Sequence, residues 1–212
     1  MNKKKIIASA ENILVFLFRL LFNNRLIRKI KYLIDLANLP KFAYLGSKTQ
    51  IFQPFYCGTP DLVKIGNNCR IGRDCEFGVV RDNTKDSKII IGNNVWITAR
   101  CQIYSKVKVE IDDDVLIAAN VFICDYTHGY KQAANIPYQN QPFEPYGAIR
   151  VGRGTWIGQN CVILYGVNIG EQCIIGANSV VTKSIPDRCI VMGSPAKVTK
   201  IWDYERNIWV KP

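Results

Sequence analysis

The chain has 212 residues, 48% of them apolar and 21% charged. This is a globular composition, long enough for one domain with an appendage, and it excludes a disordered or collagen-like chain. A single His excludes any site that draws two or three His ligands from one chain, as the common catalytic zinc sites do. The net charge of +11 is carried mostly by one end: residues 1–48 hold ten Lys and Arg against two acids, and residues 49–212 hold eighteen against fifteen. The main body is therefore too close to balanced to offer a nucleic-acid face.

Residues 1–48 form the first predicted segment. The apolar run Ile13–Phe18 is followed by Arg19 and then Leu20, Leu21 and Phe22, so no uninterrupted stretch reaches the ~20 residues of a spanning helix. Lys3, Lys4 and Lys5 imitate the start of a signal peptide, but no small-residue cleavage site follows Phe22. The expectation is a cytoplasmic protein. From Arg25 to Ala37, Leu26, Ile30, Leu33 and Ala37 fall on one helical stripe, with Arg25, Arg28, Lys29 and Lys31 mostly on the other side; Pro40 closes the segment. Such a basic amphipathic helix either packs on the main domain with a solvated basic face or lies on an anionic membrane surface, here the inner face, through residues 1–40.

A repeat of six residues organises the rest of the chain. From Ile65 the chain reads IGNNCR, IGRDCE; from Ile91, IGNNVW, ITARCQ, IYSKVK; from Ile111, IDDDVL, IAANVF, ICDYTH; and from Val151, VGRGTW, IGQNCV, ILYGVN, IGEQCI, IGANSV, VTKSIP. The period matches neither the helical 3.6 nor simple strand alternation. One buried aliphatic per six residues reads as a short strand plus a corner, and three such units make one triangular coil of a parallel β-helix. Gly and Asn at positions two to four suit the corners. This β-helix domain is expected over residues 49–202, with a C-terminal tail at 203–212.

The eight Cys divide in the same register. Cys69, Cys75, Cys101, Cys161 and Cys173 occupy position five, which elsewhere holds Val95, Val107, Val115, Val121, Thr155, Val167 and Ser179. Cys there behaves as a small buried hydrophobe, and no CxxC pair suggests a metal site or a disulfide framework. Cys57, Cys124 and Cys189 lie outside this slot and receive no role.

The repeat breaks once at length, over residues 125–148, DYTHGYKQAANIPYQNQPFEPYGA. A long loop inside a regular solenoid is usually functional. It carries the only His, His128, followed by Gly129, together with Tyr126, Tyr130, Tyr138, Phe143, Tyr146 and three prolines. Aromatics on a stiffened loop suit a sugar ring or a neighbouring subunit.

The hexads, the THG break and the segment IGANSVVTKSIPDRCIVMGSPAKVTKIW resemble the left-handed β-helix, hexapeptide-repeat acyltransferases, in particular acetyl-coenzyme A dependent sugar and surface-polysaccharide O-acetyltransferases. The resemblance covers roughly residues 60–202 and implies the handedness, a homotrimer and a sugar or glycan acceptor. It implies that His128 is the general base, taking the acceptor hydroxyl proton and returning it to the coenzyme A thiolate, with no acyl-enzyme on Cys124 and no metal required. Asp125 would orient His128 or bind acceptor. For acetyl-CoA, lying between adjacent subunits, the matching positions are Trp156, Gln159, Ala177, Thr182, Lys183, Lys197 and Lys200, the last two near the nucleotide phosphates, where cations make strong charge-assisted contacts. Packing between subunits is the competing role for Trp156, and plain solubility that for each Lys.

The stretch ITARCQIYSKVKVE lacks the polar acceptor residues of the galactoside-type enzymes, which argues against a simple galactoside. N-acylation of an amino-sugar nucleotide and acetylation of an antibiotic are the alternatives on the same scaffold. A γ-carbonic anhydrase-like site would need three His, and a non-catalytic solenoid would show regular Thr-rich faces without a His-bearing loop.

Overall fold

The computed structural model describes residues 37, 39–81, 88–131 and 136–212. The chain divides into two compact units, residues 1–39 and 40–212. Apart from the helical Ala37, the basic amphipathic helix lies outside the described residues. Residues 40–48 do not belong with it: Tyr44–Leu45 pairs in parallel with Lys64 and Ile65, so LGSKTQ is already a coil side. Its leading Leu45 hides it from a search for Ile or Val. Residues 203–212 are likewise not a tail, since Ile208–Val210 pairs antiparallel with Ile201–Asp203.

The second unit is the expected parallel β-helix. Two six-stranded sheets and one nine-stranded sheet form its sides. The first sheet runs from Tyr44–Leu45 to Asn168–Ile169, the second from Gln50–Ile51 to Cys189–Gly193, and the third from Phe55–Cys57 to Val180–Val181. Ala196–Asp203 and Ile208–Val210 extend the second sheet antiparallel past the last coil. The first residue of each hexad points inward, and Ile65, Ile71, Ile97, Ile117, Ile157, Ile163 and Ile175 are buried to within 2%. Burying each such side chain stabilises the fold by about 1.5–3 kcal/mol, so the six-residue period is a periodicity of burial.

Corner positions divide their work more sharply than composition suggests. The fourth position is where the backbone turns left-handed, at φ 57° for Asn68, 56° for Asn94, 61° for Asn120, 58° for Asn160 and 59° for Asn178. Asn and Asp tolerate that conformation better than other side chains. Their amides also form ladders between coils: Asn120 donates to Asn160 at 2.8 Å, and Asn160 to Asn178 at 3.0 Å. The second position needs small size. A Cβ on Gly66 would lie 2.3 Å from the carbonyl oxygen of Gly92 in the next coil.

Position five is not merely apolar. The hydroxyls of Thr49 and Thr155 donate to the Gly66 and Gly170 carbonyls of the next coil, at 2.6 and 2.9 Å. The thiols of Cys69, Cys161 and Cys173 donate in the same way to Gly92, Gly176 and Pro186, each at 3.1 Å. Cys therefore fills the slot as a small group with a weak donor aimed at a corner carbonyl. Cys189 occupies this slot too. A four-residue step from Val181 to Ile185, which bridges Ile169, shifts the register and conceals it in the sequence.

Burial raises the Cys69, Cys161 and Cys173 thiols above their ordinary value near 9, and lifts Cys124 to about 11. A raised thiol stays protonated in the folded chain while its unfolded counterpart ionises. The resulting stability is complete below about pH 9 and falls as pH climbs from there toward 11. Denaturant midpoints measured from neutral to alkaline pH should drop in that window, and these thiols should resist aromatic disulfide reagents until the protein unfolds.

Candidate active site

The long break leaves the third corner, between the third and first sheets. It begins as a short antiparallel pairing, with Tyr126 opposite Pro145 and Thr127 opposite Glu144. Asp125, at its root, is fully buried. One carboxylate oxygen accepts from the Ser105 hydroxyl at 2.8 Å and from the backbone N–H of Val107 and Lys108 at 3.0 and 2.7 Å; the other accepts from the Lys106 N–H at 2.6 Å. The expectation that Asp125 orients His128 or touches acceptor is corrected by these bonds. All four go to the corner of the coil beneath, because a charge without solvent must be met by donors and this turn supplies them. Asp125 ties the root of the loop to the solenoid.

His128 is exposed, three residues beyond this anchor. Its ring meets Phe143 edge to face at 4.7 Å, and Phe143 meets Tyr126 at 5.0 Å. The segment carrying His128 runs close to the returning segment, since a Cβ on Gly129 would lie 2.5 Å from the Pro142 carbonyl oxygen. Beyond it, the Tyr146 hydroxyl lies 2.8 Å from both the Tyr130 hydroxyl and a Glu144 carboxylate oxygen. Lys131 pairs with Glu144 at 2.6 Å and sits over the Tyr146 ring. Glu144 is held below the ordinary carboxylate range, chiefly by Lys131. Tyr146 in turn stacks on Tyr165 of the following coil at 4.4 Å. The sequence pointed to the loop's aromatics but not to Lys131, Glu144 or Tyr165, which meet only when the loop closes. Cys124 is buried and its thiol, pushed up to about 11, donates to the Tyr126 carbonyl, so it is protonated at neutral pH and unsuited to attack a thioester.

The residues matched to cofactor contacts fall into two groups, all exposed. Trp156 projects from the second sheet in a column with Trp96 and Leu116. Gln159 and Ala177 sit in successive coils at the second corner, where the Asn178 N–H donates to the Gln159 carbonyl at 2.8 Å. Lys197 and Lys200 lie on the antiparallel strand beyond, opposite Met192 and Ile190. Thr182 and Lys183 instead occupy the third corner, two coils past the root of the His128 loop. At one strand spacing per coil that separation is about 10 Å along the axis. Within one chain the third sheet separates the two groups.

Residues 62–83 and 88–124 match the family model described as the hexapeptide repeat of succinyl-transferase, and residues 148–183 match the bacterial transferase hexapeptide model. WbbJ of Escherichia coli K12, named as a lipopolysaccharide biosynthesis O-acetyl transferase, is 34% identical over 74% of this chain and 81% of its own length. The chain belongs to the hexapeptide-repeat acetyltransferase family. A Mycobacterium tuberculosis protein named as an acetyltransferase is 32% identical over 74% of this chain and 49% of its own length. Among solved structures, a variant of AntD, an N-acyltransferase of Bacillus cereus in complex with dTDP-4-amino-4,6-dideoxyglucose and coenzyme A, superposes with a TM-score of 0.67 at 22% identity, covering 82% of this chain and 90% of that one. A maltose O-acetyltransferase of Clostridium difficile gives 0.51 at 26% identity, covering 74% and 68%. The common architecture is the left-handed parallel β-helix: the hexads led one to expect the parallel β-helix, and the family resemblance implied its hand.

Proposed function

We propose that this hexapeptide-repeat protein moves the acetyl group of acetyl-CoA to a sugar hydroxyl, in the making of a cell-surface polysaccharide or lipid-linked glycan. The likeness to WbbJ over most of both chains carries the substrate class. In this reading His128 Nε2 or Nδ1 takes the hydroxyl proton while the acceptor oxygen attacks the thioester carbonyl. The C–O bond forms, the C–S bond breaks, and the proton passes from His128 to the departing thiolate. An exposed imidazole braced on one side by Phe143 is open to both partners, as a general base must be. Trp156, Gln159, Ala177, Thr182, Lys183, Lys197 and Lys200 would hold the cofactor. Because the third sheet lies between Thr182 and Lys183 and the other five, a complete cofactor groove would draw on two chains. This supports a homotrimer with a site at each interface, and the exposed Trp96, Leu116 and Trp156 give it apolar surface to bury.

Thiol release from acetyl-CoA, measured against a panel of sugar acceptors, tests the reading; turnover confined to amino sugars would replace it with N-acylation, the chemistry named for AntD. We place the enzyme in the cytoplasm, with residues 1–40 against the inner membrane face. Their basic, apolar composition motivates this, and unchanged partitioning onto anionic vesicles after removal of residues 1–40 would count against it.

A further inference from the structure

The terminal hairpin builds a pocket lined by none of the residues assigned above to the base or the cofactor. Trp202 and Trp209 stand opposite each other on its two strands and meet edge to face, 5.2 Å between centroids at 74°. Together with Tyr204, Asn207, Gln172 and Arg188 they line a cavity of about 390 Å³. Arg188 lies over the Tyr204 ring at 4.7 Å, donates to the Tyr204 hydroxyl and, through Nε, to Gln172 Oε1 at 2.9 Å. Asp203 closes the turn by accepting from the N–H groups of Glu205 and Arg206 at 2.9 and 3.0 Å. Gln172 and Arg188 belong to the first corner, whereas the His128 loop leaves the third.

We infer that this pocket is a second, non-catalytic site that binds a pyranose ring of a glycan. Its size falls within the range of small-molecule sites. Three aromatic side chains offer faces and edges to the C–H side of a sugar ring. The amides of Gln172 and Asn207 supply both donors and acceptors, and Arg188 supplies further donors, for its hydroxyl groups. A planar nucleobase is poorly served, because indoles at 74° leave no parallel slot. In an enzyme of glycan acetylation the site would hold the acceptor chain away from the reacting hydroxyl, favouring polymeric over single-sugar acceptors. The binding itself does not depend on the assignment of His128.

The test is a tryptophan-fluorescence and calorimetric titration of the whole protein with cello-, xylo-, chito-, galacto- and galacturono-oligosaccharides, and separately with 3′,5′-ADP. At least one oligosaccharide series should bind saturably. Truncating an aromatic anchor at the centre of a site costs about 2 kcal/mol or more, so Trp209→Ala should weaken it about thirtyfold. Tyr204→Ala, at a side chain already 65% exposed, should weaken it without disturbing the fold. Both variants should keep their affinity for coenzyme A. The inference is overturned if no oligosaccharide binds, if 3′,5′-ADP displaces the sugar, or if Tyr204→Ala dissociates the oligomer instead of weakening glycan binding. Loss of transferase activity in a His128 variant with glycan binding intact would leave it standing.

Discussion

Replacing His128 with alanine should lower kcat by about 10²–10⁴-fold, the usual contribution of a positioned general base, while leaving the fold intact. The ring is exposed and, among the described residues, its aromatic contact is with Phe143, so little packing is lost and the melting temperature should change by no more than a few degrees. The coenzyme A affinity should stay near wild type, because none of the cofactor-matched side chains contacts His128 within the chain. Stopped thiol-release assays together with equilibrium binding of coenzyme A separate the two effects. Near wild-type turnover in the purified variant would remove His128 from the reaction and leave the transfer without a base on this loop.

Asp125→Ala should have the larger effect on stability. Three backbone N–H groups and the Ser105 hydroxyl converge on the carboxylate in a buried position. Removing it leaves those donors without an acceptor, and each buried unsatisfied group costs about 1–3 kcal/mol. Allowing for partial rescue by water, a loss of roughly 3–5 kcal/mol is expected, among the largest for a single substitution. Calorimetry or a denaturant series checks it. Turnover should fall as well, by about 10²-fold, because a shift of about 1 Å in a reacting group has that effect and His128 stands three residues from the anchor. Asp125→Asn keeps the shape and one acceptor but turns an amide N–H₂ toward backbone donors, so it should fall between wild type and alanine. Ser105→Ala removes only one of the four bonds, and should cost about 1 kcal/mol with kcat nearly preserved. If Asp125→Asn lost turnover as fully as His128→Ala while keeping full stability, the carboxylate would be acting in the chemistry rather than through the loop.

The β-helix was legible because its signal is local. Each hexad buries its first residue against its own coil, so the pattern survives in sequence even where coils differ in composition. The corners were legible only in part: Gly and Asn at positions two to four marked them, but that the left-handed residue is the fourth was not, since the slot also accepts Arg100, Gln172 and Arg188. Where a step was irregular, legibility failed. Leu45 in place of Ile or Val concealed the first coil, and the short step from Val181 to Ile185 concealed the slot of Cys189.

His128 could be singled out from sequence alone, as the only His of the chain at the opening of its one long break in the repeat. The fate of its neighbour could not. Nothing in DYTH distinguishes a carboxylate facing substrate from one turned back into a buried corner, because the donors that decide it, Ser105 to Lys108, lie about twenty residues away and come beneath Asp125 only by the stacking of coils. The same holds for the hairpin pocket, where Gln172, Arg188 and Trp209 are joined by one corner ladder and one antiparallel return. Sequence by itself determined the period and the buried face, properties of residues within one coil, and singled out His128 at the break. Tertiary structure decided which side chains meet between coils, and so where charge is buried and where surface is left to bind.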